Sequence, residues 1–259
     1  MSKGRARKRI HVIDELRGFS LLLMVVYHAF YLIGYQFDVT FCKVAYGFFS
    51  PAQPFFSALF IFLCGLSCNL SHSNAKRGLL LAAVSALLSL VMWCAAWWRV
   101  IAPEGVIWFG VLHMLAVSIL LYTLLRPTLR YIPPIIGLLL SAVLFALCYH
   151  IPEDMGGYFG IRGLFVAAIP AAATDHPLLY ALGLCPISPC GDYFPLLPWF
   201  FCFLAGSFAG RFRTPKWAYR SRFPYFGAMG RHSLVIYLAH QPVLFLLAEV
   251  VFWFIRRFF

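Results

Sequence analysis

Seven apolar stretches, each close to the length of a bilayer crossing, set the strongest limit on what this chain can fold into. They are residues 18–35, 52–70, 78–98, 105–125, 133–149, 194–210 and 232–254. A helix rises about 1.5 Å per residue, so ~20 apolar residues cover a hydrocarbon core of ~30 Å. Within that core no water satisfies backbone N–H and C=O groups, and a helix satisfies its own. Only 12% of the residues are charged and 62% are hydrophobic, whereas a soluble domain carries about a quarter charged residues. The expectation is an all-α fold: a polytopic transmembrane helix bundle of about seven spans, forming a single domain over residues 1–259.

Lys and Arg concentrate on the cytoplasmic side of membrane proteins. Lys3, Arg5, Arg7, Lys8, Arg9 and Arg17 precede or open the first span, and Lys76, Arg77, Arg126 and Arg130 fall in alternate loops with Arg211, Arg213, Lys216, Arg220, Arg222 and Arg231. The opposite side receives most of the acids: Asp38, Glu104, Glu153, Asp154, Asp175 and Asp192. The N-terminus is therefore expected in the cytoplasm. Seven spans leave Arg256 and Arg257 outside, against this rule, and the short apolar piece 160–173 is read as re-entrant or interfacial. Asp14 and Glu15 interrupt the basic leader and no small-x-small cleavage site follows, so the first span is expected to be retained.

The net charge of +12 is explained by cytoplasmic loops lying beside anionic lipid. No nucleic-acid-binding pattern accompanies it, and no nucleic-acid partner is expected. Of the eight cysteines, Cys185 and Cys190 lie in the long outer loop, where an oxidising compartment permits a disulfide. Cys64 and Cys68 share a helix face, but no further metal ligands stand at matching depth, so no metal site is expected. Gly65, Gly110, Gly206 and Gly210 are read as points where helices approach closely.

Ionisable groups inside the apolar stretches carry the functional signal, because a membrane tolerates them mainly where they line a path or take part in a reaction. Arg17 and His28 are eleven positions apart, about 20° past three full turns and ~16 Å along the axis, so they share one face. Asp14, one turn before Arg17, extends that face and is placed to hold its guanidinium. His240 lies nine residues beyond Arg231, and His113 enters its span from the outer side. Three imidazoles are thus expected near one plane, with Asp192 and Tyr193 at the outer mouth. Three function classes fit these residues. An acyltransferase would use Arg17 to hold an anionic donor and His28 as a base or acyl carrier. A haem protein would use histidines as axial ligands, though only one weak set is present. A transporter would use His28 in a proton relay.

The stretch "RIHVIDELRGFSLLLMVVYHAF" resembles the opening of the heparan-α-glucosaminide N-acetyltransferase catalytic-domain family and its bacterial relatives, within the transmembrane acyltransferase superfamily. Its Asp-x-x-Arg-Gly pattern is Asp14, Arg17 and Gly18, and its Arg-x10-His is Arg17 and His28. "PAQPFFSALFIFLCGLS", "GVLHMLAVSILL", "DYFPLLPWFFCFLAGSFAG" and "GRHSLVIYLAHQPVL" follow in the family's order. The resemblance implies an integral protein of a bacterial cytoplasmic (inner) membrane. It would move an acyl group, preferably acetyl, from cytoplasmic acetyl-CoA to a hydroxyl or amine of an extracytoplasmic glycan-type acceptor. It implies catalytic roles for His28, His240 and Asp192, donor binding by Arg17, Asp14 and Arg231 with Lys76 or Arg77 and Arg126 around the CoA head group, and acceptor binding by His113, Tyr193 and Gln241, with no metal or haem. Heparan itself is not implied as the acceptor, and oligomeric state is left open.

Overall fold

A computed structural model of the chain describes residues 9–152, 157–168, 177–184 and 192–258. In chain order the helices are α1 (His11–Tyr31), α2 (Thr40–Phe49), α3 (Gln53–Ser67), α4 (Asn74–Trp97), α5 (Val111–Leu129) and α6 (Pro134–Cys148). A two-stranded hairpin follows, β1 (Tyr158–Ile161) and β2 (Phe165–Ala168), and then α7 (Pro177–Leu182), α8 (Leu196–Ala209), α9 (Pro224–Arg231) and α10 (Ser233–Phe258). Each apolar stretch seen in the sequence folds as a helix. Among the described residues, five helical segments are long and apolar enough to cross a membrane: His11–Gln36, Thr40–Ser67, Asn74–Trp97, Val111–Leu129 and Ser233–Phe258. Pro134–Cys148 and Leu196–Ala209 are shorter apolar helices.

Local chemistry explains several ends. Pro134 and Pro224 open α6 and α9 at the first helical position, where proline's fixed φ is already helical and its missing N–H costs nothing. Ser73 caps α4, its side chain accepting from the Lys76 N–H. The piece 160–173 takes part, over its described residues, in strand structure. Residues 158–168 form an antiparallel ribbon with Tyr158 opposite Ala168 and Ile161 opposite Phe165. Strands of four residues are too short to impose a period on the sequence. Cys185, Cys190, Glu153, Asp154 and Asp175 lie outside the described residues, as do Lys3, Arg5, Arg7 and Lys8.

The chain divides into two compact units, Met1–Leu63 with Thr214–Phe259, and Cys64–Arg213. In the first, α1 crosses α9 with backbones nearly touching. A Cβ added at Gly18 would overlap the Phe226 carbonyl oxygen, and one at Gly230 would overlap that of Asp14. Small residues at both sides of a crossing let helix backbones approach and gain dispersion contacts where hydrocarbon offers no hydrophobic drive. Phe19 packs edge-on to Phe226 at 5.8 Å beside this crossing.

In the second unit the main pairings are α4 with α5 and α6 with α8. Gly65 is the close-approach point expected of it: a Cβ there would meet the Phe203 carbonyl oxygen of α8. Asn69 reinforces the contact by donating to the Ser207 carbonyl at 2.7 Å. Elsewhere α4 presents Leu79, Leu80, Leu87, Leu90 and Val91 outward. An aqueous surface would not carry such a stripe, and a bilayer covers it.

Candidate functional site

α1 begins at His11, seven residues before the apolar run, and its first two turns carry Asp14, Glu15 and Arg17. Charges here are tolerated because each is engaged. Glu15 is only 6% exposed. Its Oε1 accepts from Ser221 Oγ at 2.9 Å, the Arg222 N–H at 2.8 Å and the Phe223 N–H at 3.1 Å. A carboxylate at this point satisfies donors that lead into α9 and faces the positive end of its dipole. Sequence reasoning gave Glu15 no such part. Its partners lie more than two hundred residues away, and no local spacing marks them.

Asp14 is buried beside it. Its carboxylate takes the Arg9 Nε at 2.7 Å and stands 3.6 Å from the Arg17 guanidinium. The expected Asp14–Arg17 pairing is therefore present. Arg231 is exposed at the end of α9. Its guanidinium and the Glu15 side chain both flank Gly227.

Farther along α1, an unbroken helix carries His28 on the same side as Arg17, and α10 brings His240 to it. The two rings lie 5.2 Å apart between centroids, tilted by 47°. His240 is 7% exposed. Its Nδ1 stands 2.5 Å from the Tyr237 carbonyl oxygen. A carbonyl only accepts, so Nδ1 carries the proton and Nε2 keeps its lone pair. That Nε2 is buried and has no hydrogen-bond partner among the described residues. Gln241 Nε2 lies 3.3 Å from His28 Nδ1. The amide N–H donates, so Nδ1 accepts and His28 bears its proton on Nε2. The pair therefore combines one imidazole that can take a proton with one that can give a hydrogen bond. Tyr27 completes the surroundings, its ring 5.5 Å from that of His28 and its hydroxyl 2.9 Å from that of Tyr46.

The other expected site residues lie in the second unit. His113, at the start of α5, accepts from the Gly110 N–H at Nδ1 (3.3 Å), and its Nε2 is 3.2 Å from Ser89 Oγ. Ser89 in turn donates to the Ile107 carbonyl at 2.5 Å. Both ring nitrogens of His113 are thus engaged in fastening the beginning of its own helix. The Asp192 carboxylate lies against Gly110, where the positive end of α5 favours it. Tyr193 donates to the Tyr180 carbonyl at 2.6 Å and packs against the Tyr180 ring at 4.7 Å.

Arg77 donates to Cys64 Sγ at 2.9 Å, and Cys68 donates to the Cys64 carbonyl. Among the described residues no three His, Cys, Asp or Glu side chains gather as metal ligands.

Comparison with known proteins adds one finding. The family model for "Heparan-alpha-glucosaminide N-acetyltransferase, catalytic" matches residues 9–242. No curated protein and no solved structure matches the chain. The match takes in α1, both imidazoles of the pair and every helix up to the middle of α10. The chain belongs to this family and is an integral membrane protein of acetyltransferase type.

Proposed function

From that membership we propose that the chain transfers an acyl group, preferably acetyl, from cytoplasmic acyl-CoA to a hydroxyl or amine of an extracytoplasmic acceptor, of glycan type. In this proposal seven helices span the inner membrane, α6 and α8 included, with the N-terminus in the cytoplasm, and the chain acts as one acyltransferase domain. The observation that carries the proposal is the buried Nε2 of His240, without a hydrogen-bond partner among the described residues, on a ring centred 5.2 Å from that of His28. A buried imidazole nitrogen without a partner costs stability, and a reaction that needs a base gives it a purpose.

The sequence pointed to His28 as the base, and the tautomers favour a division of labour instead. The acceptor O–H or N–H proton passes to His240 Nε2 as the acceptor atom attacks the thioester carbonyl carbon. The carbonyl oxygen gains charge and takes a hydrogen bond from His28 Nε2–H. When the C–S bond breaks, the CoA thiolate leaves and recovers the proton from His240. Gln241 fixes the tautomer of His28, and the Tyr237 carbonyl fixes that of His240. Apolar surroundings keep water from hydrolysing the thioester.

Arg17, oriented by Asp14, and Arg231 hold the anionic part of the donor at the cytoplasmic end of α1 and α9. Asp192 keeps the catalytic role, and Tyr193 the acceptor-binding role, that the family resemblance implies. His113 enters as a helix cap, because both its nitrogens are engaged. A second route uses the same lone pair: His240 Nε2 itself receives the acyl group and passes it on.

The test is CoA release from acetyl-CoA by purified protein with a panel of glycan acceptors. Parent turnover that disappears in His240→Ala and falls steeply in His28→Ala supports the pair. Equal turnover in parent and both variants removes it. Acid quenching after mixing with labelled acetyl-CoA and no acceptor separates the routes, since only the covalent one leaves label on the protein.

A further inference from the structure

At the ends of α5 and α8 in the second unit lies a cavity of about 150 Å³. Its lining includes Asn69, Tyr122, Arg126, Arg130, Ser207 and Arg211, and no carboxylate among the described residues. Three guanidiniums in one small space without a counter-ion repel one another, so the question is what each is held by.

Arg211 is held by backbone. Its NH1 donates to the carbonyls of Leu129 (3.3 Å) and Ile132 (2.8 Å), and its NH2 to that of Arg130 (3.2 Å). These carbonyls lie at and beyond the C-terminus of α5, where a cation offsets the negative end of the dipole. Arg130 donates to the Tyr131 hydroxyl at 2.6 Å and lies over that ring at 4.7 Å. The Arg126 side chain has no hydrogen-bond or ion-pair partner among the described residues and stands near the Tyr122 hydroxyl and Cys68. Tyr122, one turn earlier on α5 and 5% exposed, packs its ring on Phe203, and its hydroxyl has no hydrogen-bond partner among the described residues. A buried hydroxyl and a guanidinium, both unspent and both lining one acid-free cavity, are the donors an anion requires. The volume is below the ~300–1,000 Å³ of pockets that enclose whole drug-sized ligands. It suits a single charged group.

We propose that this cavity binds a phosphate group, with Arg126 and Tyr122 as its direct donors and Arg211 as a fixed positive charge behind them. Arginine is the residue suited to the task, since its planar fork pairs phosphate oxygens two at a time. Two sources carry this chemistry: a phosphate of the CoA donor, which rests on the acyl-CoA reading above, and the headgroup of an anionic phospholipid, which does not.

The experiment compares parent, Arg126→Gln and Tyr122→Phe as full-length protein in two kinds of nanodisc. In phosphatidylcholine alone, binding of CoA and of dephospho-CoA is measured. In equal parts phosphatidylcholine and phosphatidylglycerol, the phosphatidylglycerol retained on the protein is measured by native mass spectrometry. Loss of a charge-assisted hydrogen bond is expected to weaken the true ligand about tenfold or more in Arg126→Gln, and less in Tyr122→Phe. Weakened CoA binding with lipid retention unchanged identifies the coenzyme, and the reverse identifies the lipid. Parent-like behaviour of both variants toward both ligands overturns the site. If the parent binds no CoA, the donor reading fails on its own while the lipid arm still decides the cavity. If Arg126→Gln does not fold, Tyr122→Phe, which removes one oxygen, carries the test.

Discussion

His240 and His113 are both imidazoles set in apolar helices, and the molecule treats them in opposite ways. Around His113, Gly110 supplies a donor to one nitrogen and Ser89 faces the other, so the ring is spent on starting α5. Around His240, one nitrogen is tied to the Tyr237 carbonyl and the other is buried with no hydrogen-bond partner among the described residues. Burial alone therefore does not tell the two imidazoles apart. What separates them is whether the hydrogen-bonding capacity is closed.

The sharpest way to break that contrast is activity. His240→Ala is expected to lower the rate of acyl transfer by about 10²–10⁴-fold with the fold retained, read as CoA release, and added imidazole should restore part of it. His113→Ala should leave kcat within about threefold of parent. A loss as large as that of His240→Ala would cancel the distinction. The same variant should lose about 1 kcal/mol of stability, since Gly110 and Ser89 lose a partner, measured as a lowered Tm in detergent.

Glu15→Ala removes the acceptor of three donors rather than one. A stability loss of about 1–3 kcal/mol is expected, with the donor concentration needed for half-maximal rate rising because α9 carries Arg231. Smallest is Lys43→Gln. The Lys43 ammonium beside exposed Asp38 holds that carboxyl below the usual carboxylate range. Its folded pKa is depressed, so the pairing favours the fold above the ordinary carboxylate pKa and loses its effect as pH falls through the depressed value. In Lys43→Gln the Asp38 titration should move back up, visible by carbon NMR, with thermal stability at neutral pH hardly changed.

Much of this was legible in the sequence. Apolar length marked every long helix, because hydrocarbon leaves the backbone no alternative to internal hydrogen bonds. Arg17, Asp14 and His28 were placed on one face by the helical repeat alone, and the Asp14–Arg17 contact follows. What periodicity did not reveal were facts about partners distant in the chain. Glu15 meets residues 221–223, Gly18 meets Phe226, and His240 meets His28. Neither the tautomers of the pair nor the engagement of His113 can be read from spacing, since both depend on which carbonyl or amide happens to face a nitrogen. The 158–168 ribbon was missed for a different reason: its strands end before alternation becomes visible.

The crossing of α1 with α9 also has a meaning in time. The chain is synthesised from its N-terminus, and α1 emerges with a carboxylate and a glycine whose counterparts, residues 221–230, are made about two hundred residues later. The second unit, Cys64–Arg213, is continuous and complete before them. α1 must therefore wait at the membrane, its acidic end unpaired with α9, while a whole unit is translated and inserted. The imidazole pair, drawn from the two segments that flank this unit, is assembled only after the unit has been made.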